Sequence, residues 1–168
     1  MKQDRLIKHN AKKDYTLQNF YNYVLTIRKF QPDDMFSIIK IAHETLTERY
    51  NPTFFNYFYE TFPEGFWIAE KHHKPIAFIA GTITDQETAK ILMISVKREH
   101  RKQNIGRNLL KQFLKETNLR NIKQIELEVR TDNKEAIAFY KKHGFDIIRT
   151  IPKFYQNGED AYLMKKKN

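Results

Sequence analysis

The stretch "KILMISVKREHRKQNIGRNLLKQFLKETNLRNIKQIELEVR", residues 90–130, constrains the fold more than any other. It opens with an apolar run almost free of polar residues, which predicts a strand buried on both faces. It closes with "QIELEVR", whose strict alternation predicts a second strand. Between them, Ile105, Leu109, Leu110, Phe113 and Leu114 fall on one stripe of an amphipathic helix. Strand, helix, strand is a crossover between parallel strands, because parallel neighbours cannot be joined by a tight turn. Such a unit belongs in a mixed α/β sheet flanked by helices. Its ligands sit beyond the carboxyl ends of the parallel strands.

The remaining chain extends this pattern. "YVLTIRKF" predicts a strand. "QPDDMFSIIKIAHETL" predicts a helix, with Pro32 in its first turn and Asp33 and Asp34 at its positive end. "NPTFFNYFYETF" reads as an aromatic helix whose rings are mostly core, and "GFWIAEKHHKPIAFIAGTIT" as a hairpin. After the central unit come a short helix, "NKEAIAFYKKH", and two closing strands. No linker or repeat interrupts residues 24–168, which read as one domain. Residues 1–23 are polar and aperiodic, and are expected to form an appended helix or a partly disordered extension.

Composition excludes several classes. There is no cysteine, so disulfides, cysteine metal sites and a cysteine nucleophile are ruled out. The six histidines show no metal-ligand spacing, and no metal is expected. Mean hydropathy is −0.71, no apolar run spans a membrane, and the N-terminal residues lack a secretory h-region. A cytoplasmic protein with no membrane role is the expectation. The net charge of +10 is uneven. The middle of the chain is acidic and the C-terminal half strongly basic, which points to a polyanionic ligand in that half. No zinc-finger spacing or basic-aromatic ladder supports specific nucleic-acid binding.

Two loops fall at the carboxyl ends of the central strands: "KREHRKQNIG" and "RTDN". The first runs into a helix N-terminus, where unpaired N–H groups and the helix dipole favour phosphate. Arg98, Arg101, Lys102 and Arg107 add positive charge, and Gly106 allows close backbone approach. After the second loop, Asn133 and Tyr140 stand seven positions apart, two helical turns, on one side of a helix. On the residues alone, Asn133 reads as a helix cap and Tyr140 as a core ring.

Taken in order, the two segments resemble the cofactor motifs of the GNAT acetyltransferases. "VKREHRKQNIGRNLL" is similar to the family's loop of Arg or Gln, two residues, Gly, any residue, then Gly or Ala. Arg101, Asn104 and Gly106 hold those positions, with Asn104 in place of the usual Gly. Asn tolerates positive φ better than other non-Gly residues, so the loop can keep its shape. "LEVRTDNKEAIAFYKKHGF" resembles the family's next motif. The resemblance implies the GNAT acyl-CoA N-acyltransferase fold, with acetyl-CoA as co-substrate. The loop Arg101, Lys102, Gln103, Asn104, Ile105, Gly106 and Arg107 would then hold the pyrophosphate. The strand end Ile94, Ser95 and Val96 would pair with the pantetheine arm. Asn133 would touch that arm, and Tyr140 would give a proton to the leaving thiolate.

Two further matches narrow the resemblance to protein N-terminal acetyltransferases of bacterial ribosomal-protein and archaeal or eukaryotic type. "KFYQNGEDAYLM" is similar to their ending, with Phe154 where a Tyr is usual and Tyr155 retained. "LTERY" places Glu48 and Tyr50 where the archaeal and eukaryotic subunits carry Glu and Tyr. These four residues would flank the acceptor peptide. The resemblance implies protein or peptide N-termini as substrates, ribosomal or nascent chains among them; an auxiliary subunit is not specified. Glu128, twelve positions before Tyr140, lies where the bacterial enzymes carry their base; an exposed strand carboxylate is the plain alternative. Two other functions are alternatives: acetylation of a small amine or internal lysine, against which Gly158-Glu159-Asp160 argues, and a non-enzymatic basic module binding ribosomes or nucleic acid, against which Asn133 and Tyr140 argue.

Overall fold

The computed structural model describes residues 25–48 and 50–168. The expected N-terminal extension, residues 1–23, lies outside the described residues. Seven strands form one sheet: β1 (Thr26–Lys29), β2 (Trp67–Lys71), β3 (Lys74–Ile83), β4 (Thr88–Val96), β5 (Gln124–Arg130), β6 (Asp146–Ile151) and β7 (Ala161–Lys167). Their order across the sheet is β1-β2-β3-β4-β5-β7-β6. The β4–β5 pair is parallel and every other pair antiparallel. Among the described residues four α-helices accompany it: α1 (Met35–Thr45), α2 (Pro52–Thr61), α3 (Ile105–Leu119) and α4 (Lys134–Lys142). The element order is the one the sequence predicts. The closing strands are not in sequence order in space, since β7 lies between β5 and β6.

The sheet separates two cores. On one face α3 and α4 bring Leu109, Phe113 and Tyr140 onto Ile79, Ile91, Ile125 and Leu127. On the other, α1 and α2 bring Ile38, Ile41, Phe55 and Phe58 onto Ile68, Phe78 and Met93. The aromatic helix divides as its period requires: Phe55 and Phe58 are buried, while Phe54 and Tyr57 are exposed. Within the second core, Phe30 stacks on Phe66 with ring centres 4.0 Å apart. At the chain's entry to α1, Asp34 receives two bonds from Arg28 at 2.7 and 2.9 Å and one from the Gln31 N–H at 2.8 Å. Burial opposes ionisation of Asp34, but these bonds outweigh it and hold its carboxyl below the usual range.

Strand β4 carries the feature that opens the molecule. Against β3, Ala80 pairs with Met93 and Gly81 with Ile91, so Leu92 is an extra residue, a β-bulge. The bulge reverses the facing of the strand. Ile91 points into the α3 side and Met93 into the α1 side, although they are two apart. Beyond the bulge β4 also leaves β5: their pairing runs from Thr88↔Gln124 to Ile91↔Leu127 and stops there. The expectation that β4 is buried on both faces is corrected: alternate residues are only half-buried, Thr88 and Lys90 within the β5 ladder as well as Ile94 and Val96 beyond it.

Gly81 marks the spot where the bulge is tightest. A Cβ there would stand 2.5 Å from the Lys90 carbonyl oxygen and 2.5 Å from the Phe113 ring. Neither a backbone carbonyl nor a fully buried ring can move aside freely. Gly81→Ala is therefore expected to destabilise the fold by about 1–3 kcal/mol, the usual range for overpacking. Urea unfolding of the two proteins measures it. Equal midpoints would show that the sheet yields at this position.

Candidate active site

A cavity of about 580 Å³ opens beside the unpaired end of β4, against the loop into α3 and helix α4. That is the size of a site for a small ligand or cofactor. It reaches both faces of the sheet. Thr45 and Leu46 line it from the α1 side, and Ala136, Phe139 and His143 from α4 on the other. Of the residues expected to hold a cofactor, Ile94, Ser95, Val96, Arg101, Lys102, Asn104, Ile105, Gly106, Arg107 and Asn133 line this cavity. Gln103 and Tyr140 do not.

Local structure explains why these groups converge. Residues Ile94–Val96 pair with Ile79, Phe78 and Ala77 of β3 on one edge only. Among the described residues their other edge, toward β5, has no strand partner, so its backbone groups are open to an extended ligand. Ser95 and Thr45 are hydrogen-bonded through their hydroxyls, which fixes the end of α1 against β4. The loop after β4 then folds back on a tight path. Lys102 and Asn104 both take left-handed backbone, φ 60° and φ 59°. Asn104 is the N-cap of α3, and its side chain makes no capping bond. The first N–H groups of α3 thus open onto the cavity, at the helix's positive end and beside Arg101, Lys102 and Arg107. A Cβ on Gly106 would meet only Phe139 and Val96, at 3.8 Å. A methyl group would fit there in ordinary contact.

Helix α4 is placed by its cap. The Asn133 side chain accepts the Ala136 N–H at 3.1 Å, so the same residue ends the loop and lines the cavity. The face α4 turns to the cavity carries Glu135, Ala136, Phe139, Lys142 and His143. Tyr140 lies beside that face and is buried. Its ring stands edge-on to Phe139 at 5.2 Å and to Phe145 at 5.5 Å. Burial pushes its phenol well above the ordinary value, and Tyr155 pushes it further. The phenol therefore keeps its proton at any physiological pH.

A second cluster lies on the α1 side of the sheet, where Glu126, Glu128 and Arg130 of β5 point. Arg130 ties three loops together. Its guanidinium pairs with Glu48 after α1 at 3.3 Å, with Asp132 after β5 at 3.7 Å, and with Glu159 between β6 and β7. It also lies over the Tyr155 ring, 4.6 Å from its centre. Glu48 and Tyr155, expected on opposite sides of an acceptor, are thus held by one cation. Tyr155 is pushed up to about 12, first by burial, then by Tyr50, while Arg130 pulls the other way. The charges of Glu128 and Glu48 raise it a little further. Burial and then Glu48 raise Tyr50 as well. Phe154 is half exposed and meets Tyr155 edge-on at 5.0 Å.

Sequence reasoning missed Phe139, His143 and Arg130. Phe139 stands next to Tyr140 in the family motif, and only the rotation of α4 decides which ring lines the cavity. Among the described residues, no group of His, Asp and Glu side chains is placed to hold a metal ion. Among them too, no helix is long and apolar enough to cross a membrane.

A sheet that parts beside a helix N-terminus, with cations around the opening, is the arrangement that the resemblance to the GNAT acyltransferases implies. The comparisons agree: residues 35–145 match the Acetyltransferase (GNAT) family, and the chain belongs to it. It is an acetyl-CoA-dependent N-acetyltransferase. An N-alpha-acetyltransferase of Saccharolobus solfataricus is 31% identical over 153 residues, covering 84% of this chain and 92% of that protein. The crystal structure of Ard1 from Thermoplasma volcanium is 36% identical with a TM-score of 0.83, covering 85% of this chain and 97% of that one. Arabidopsis thaliana Naa50, solved with the bisubstrate analogue CoA-Ac-MVNAL, is 26% identical with a TM-score of 0.75, covering 84% of this chain and 97% of that one.

Proposed function

We propose that this enzyme transfers the acetyl group of acetyl-CoA to the N-terminal α-amino group of proteins, by direct transfer in a ternary complex. One observation carries the reading: the gap between β4 and β5 opens beside a half-buried cluster in which Arg130 binds the two loops expected to flank an acceptor. The relatives named N-alpha-acetyltransferase and the peptide-bearing analogue bound to Naa50 support it. Cytoplasmic protein N-termini, ribosomal or nascent chains included, are the acceptors.

The chemistry follows from the residues. The N–H groups of α3 and the cations Arg101, Lys102 and Arg107 would hold the pyrophosphate of acetyl-CoA. The free edge of Ile94–Val96, with Asn133, would hold its pantetheine arm. An α-amine, whose pKa is about 7.7–8.0, must lose a proton to attack the thioester. Glu128 collects that proton through water. Free N–H groups of β4 beyond the bulge face the carbonyl oxygen as it gains negative charge. Tyr140, which keeps its proton, would donate it to the sulfur as the C–S bond breaks and coenzyme A leaves as a thiolate. The chain has no cysteine to carry an acetyl group, so the amine itself attacks the cofactor. Glu48, Tyr50, Phe154 and Tyr155 hold the first residues of the acceptor.

Acetyl transfer to a peptide panel differing in residues one and two, beside polyamines and free lysine, tests the reading. Peptides are expected to be the substrates, with rates that depend on their first two residues. Faster turnover of a polyamine or free lysine would assign the enzyme to small amines.

A further inference from the structure

The base assigned above is a carboxylate at the point where two strands part company, so something must hold it. We propose that Lys90 is a positioning residue for Glu128, a lateral tie across the apex of the gap; the proposal rests on the reading of Glu128 as the base. Lys90 of β4 pairs with Glu126 of β5, one residue before the ladder between those strands ends at Ile91↔Leu127. Glu128 is the next β5 residue on the same face, beyond the last paired position. Its backbone is held by Leu163 of β7 on the far side only, and no ladder fixes it against β4. The side chains supply that link: Lys90 Nζ stands 2.5 Å from Glu128 Oε1.

Neighbouring charges make the pairing selective. Glu126, which also lies 3.8 Å from Lys90 Nζ, is engaged by Lys165 of β7 at 3.2 Å. Lys90 is thereby left for Glu128. The Lys90 and Glu128 side chains are 23% and 11% exposed, which is low for groups that ordinarily stay in water. An ammonium has three donors and no acceptor. Bound to Oε1, it leaves Oε2 for the water or amine that delivers the proton. Misplacement of a reacting group by about 1 Å can cost 10²-fold in rate, so the tie has kinetic weight. Lys90 lines no part of the cofactor cavity, so its effect is confined to turnover.

The test is a double-mutant cycle in the full chain with acetyl-CoA and a peptide acceptor. Lys90→Met is expected to lower kcat about 10- to 100-fold, to leave the KM for acetyl-CoA near wild type, and to change the pH–rate profile. Lys90→Arg should restore part of the loss. In a Glu128→Gln background, Lys90→Met should cost little more, because the residue it positions is gone. Thermal melting shows that each variant is folded. Wild-type kcat for Lys90→Met, with Glu128→Gln impaired, would overturn the tie and leave the base in place. Equal losses from Lys90→Met in both backgrounds would make it a structural residue. If Glu128→Gln alone keeps wild-type kcat, the base assignment fails, and the positioning role with it.

Discussion

Tyr140→Phe is expected to lower kcat by about 10²–10⁴-fold, the usual range for a general acid or base, with little change in affinity for acetyl-CoA. The substitution keeps the ring that packs on Phe139 and Phe145, so the core on that face stays filled. It removes one hydroxyl. That hydroxyl is buried and holds its proton, because burial and Tyr155 both disfavour the phenolate. It is thus a fixed donor when the sulfur takes on charge. The hydroxyl is assigned only to the sulfur, so the groups assigned to the pyrophosphate and the pantetheine arm are untouched by the change. Steady-state kinetics with calorimetry separate the two quantities. Wild-type kcat in the Tyr140→Phe enzyme would remove the hydroxyl from the chemistry.

Replacing Arg101 and Arg107 together by Glu is expected to weaken acetyl-CoA binding about 10²-fold or more. Two unit charges 4 Å apart interact by about 1 kcal/mol in water and about 4 kcal/mol near a protein surface, and here attraction becomes repulsion twice. The fold should tolerate the change. Arg101 makes a 3.2 Å bond to the Val96 carbonyl and a long, exposed pair with Glu135, and such surface pairs contribute little to stability. Titration calorimetry at low and moderate salt measures the effect, which should shrink as salt rises. Unchanged affinity would take the loop out of the site.

How far the sequence could be read depends on the range over which each residue acts. The β4–α3–β5 unit was legible because its periods are local and its helix is long. The left-handed Asn104 was legible because its neighbours on either side fix the loop motif, and the structure places it at φ 59°. The bulge at Leu92 was not. One extra residue in an unbroken apolar run leaves no mark in the pattern, yet it reverses the strand and opens the gap. Arg130 was invisible for another reason: Glu48 is 82 positions away in sequence, and only the folded sheet brings them together. In α4 the motif flagged Tyr140, whereas helix rotation turns Phe139 to the cavity.

The identity of the accepting amine separates an N-terminal acetyltransferase from a lysine or small-amine enzyme. The most direct measurement is mass-spectrometric mapping of the product formed with acetyl-CoA and two peptides of one sequence, each containing internal lysines. One has a free N-terminus and the other a blocked one. Acetyl is expected on the α-nitrogen of the first peptide, with almost none on the second. Acetyl-lysine as the main product on the blocked peptide, at a rate matching the free one, would contradict it.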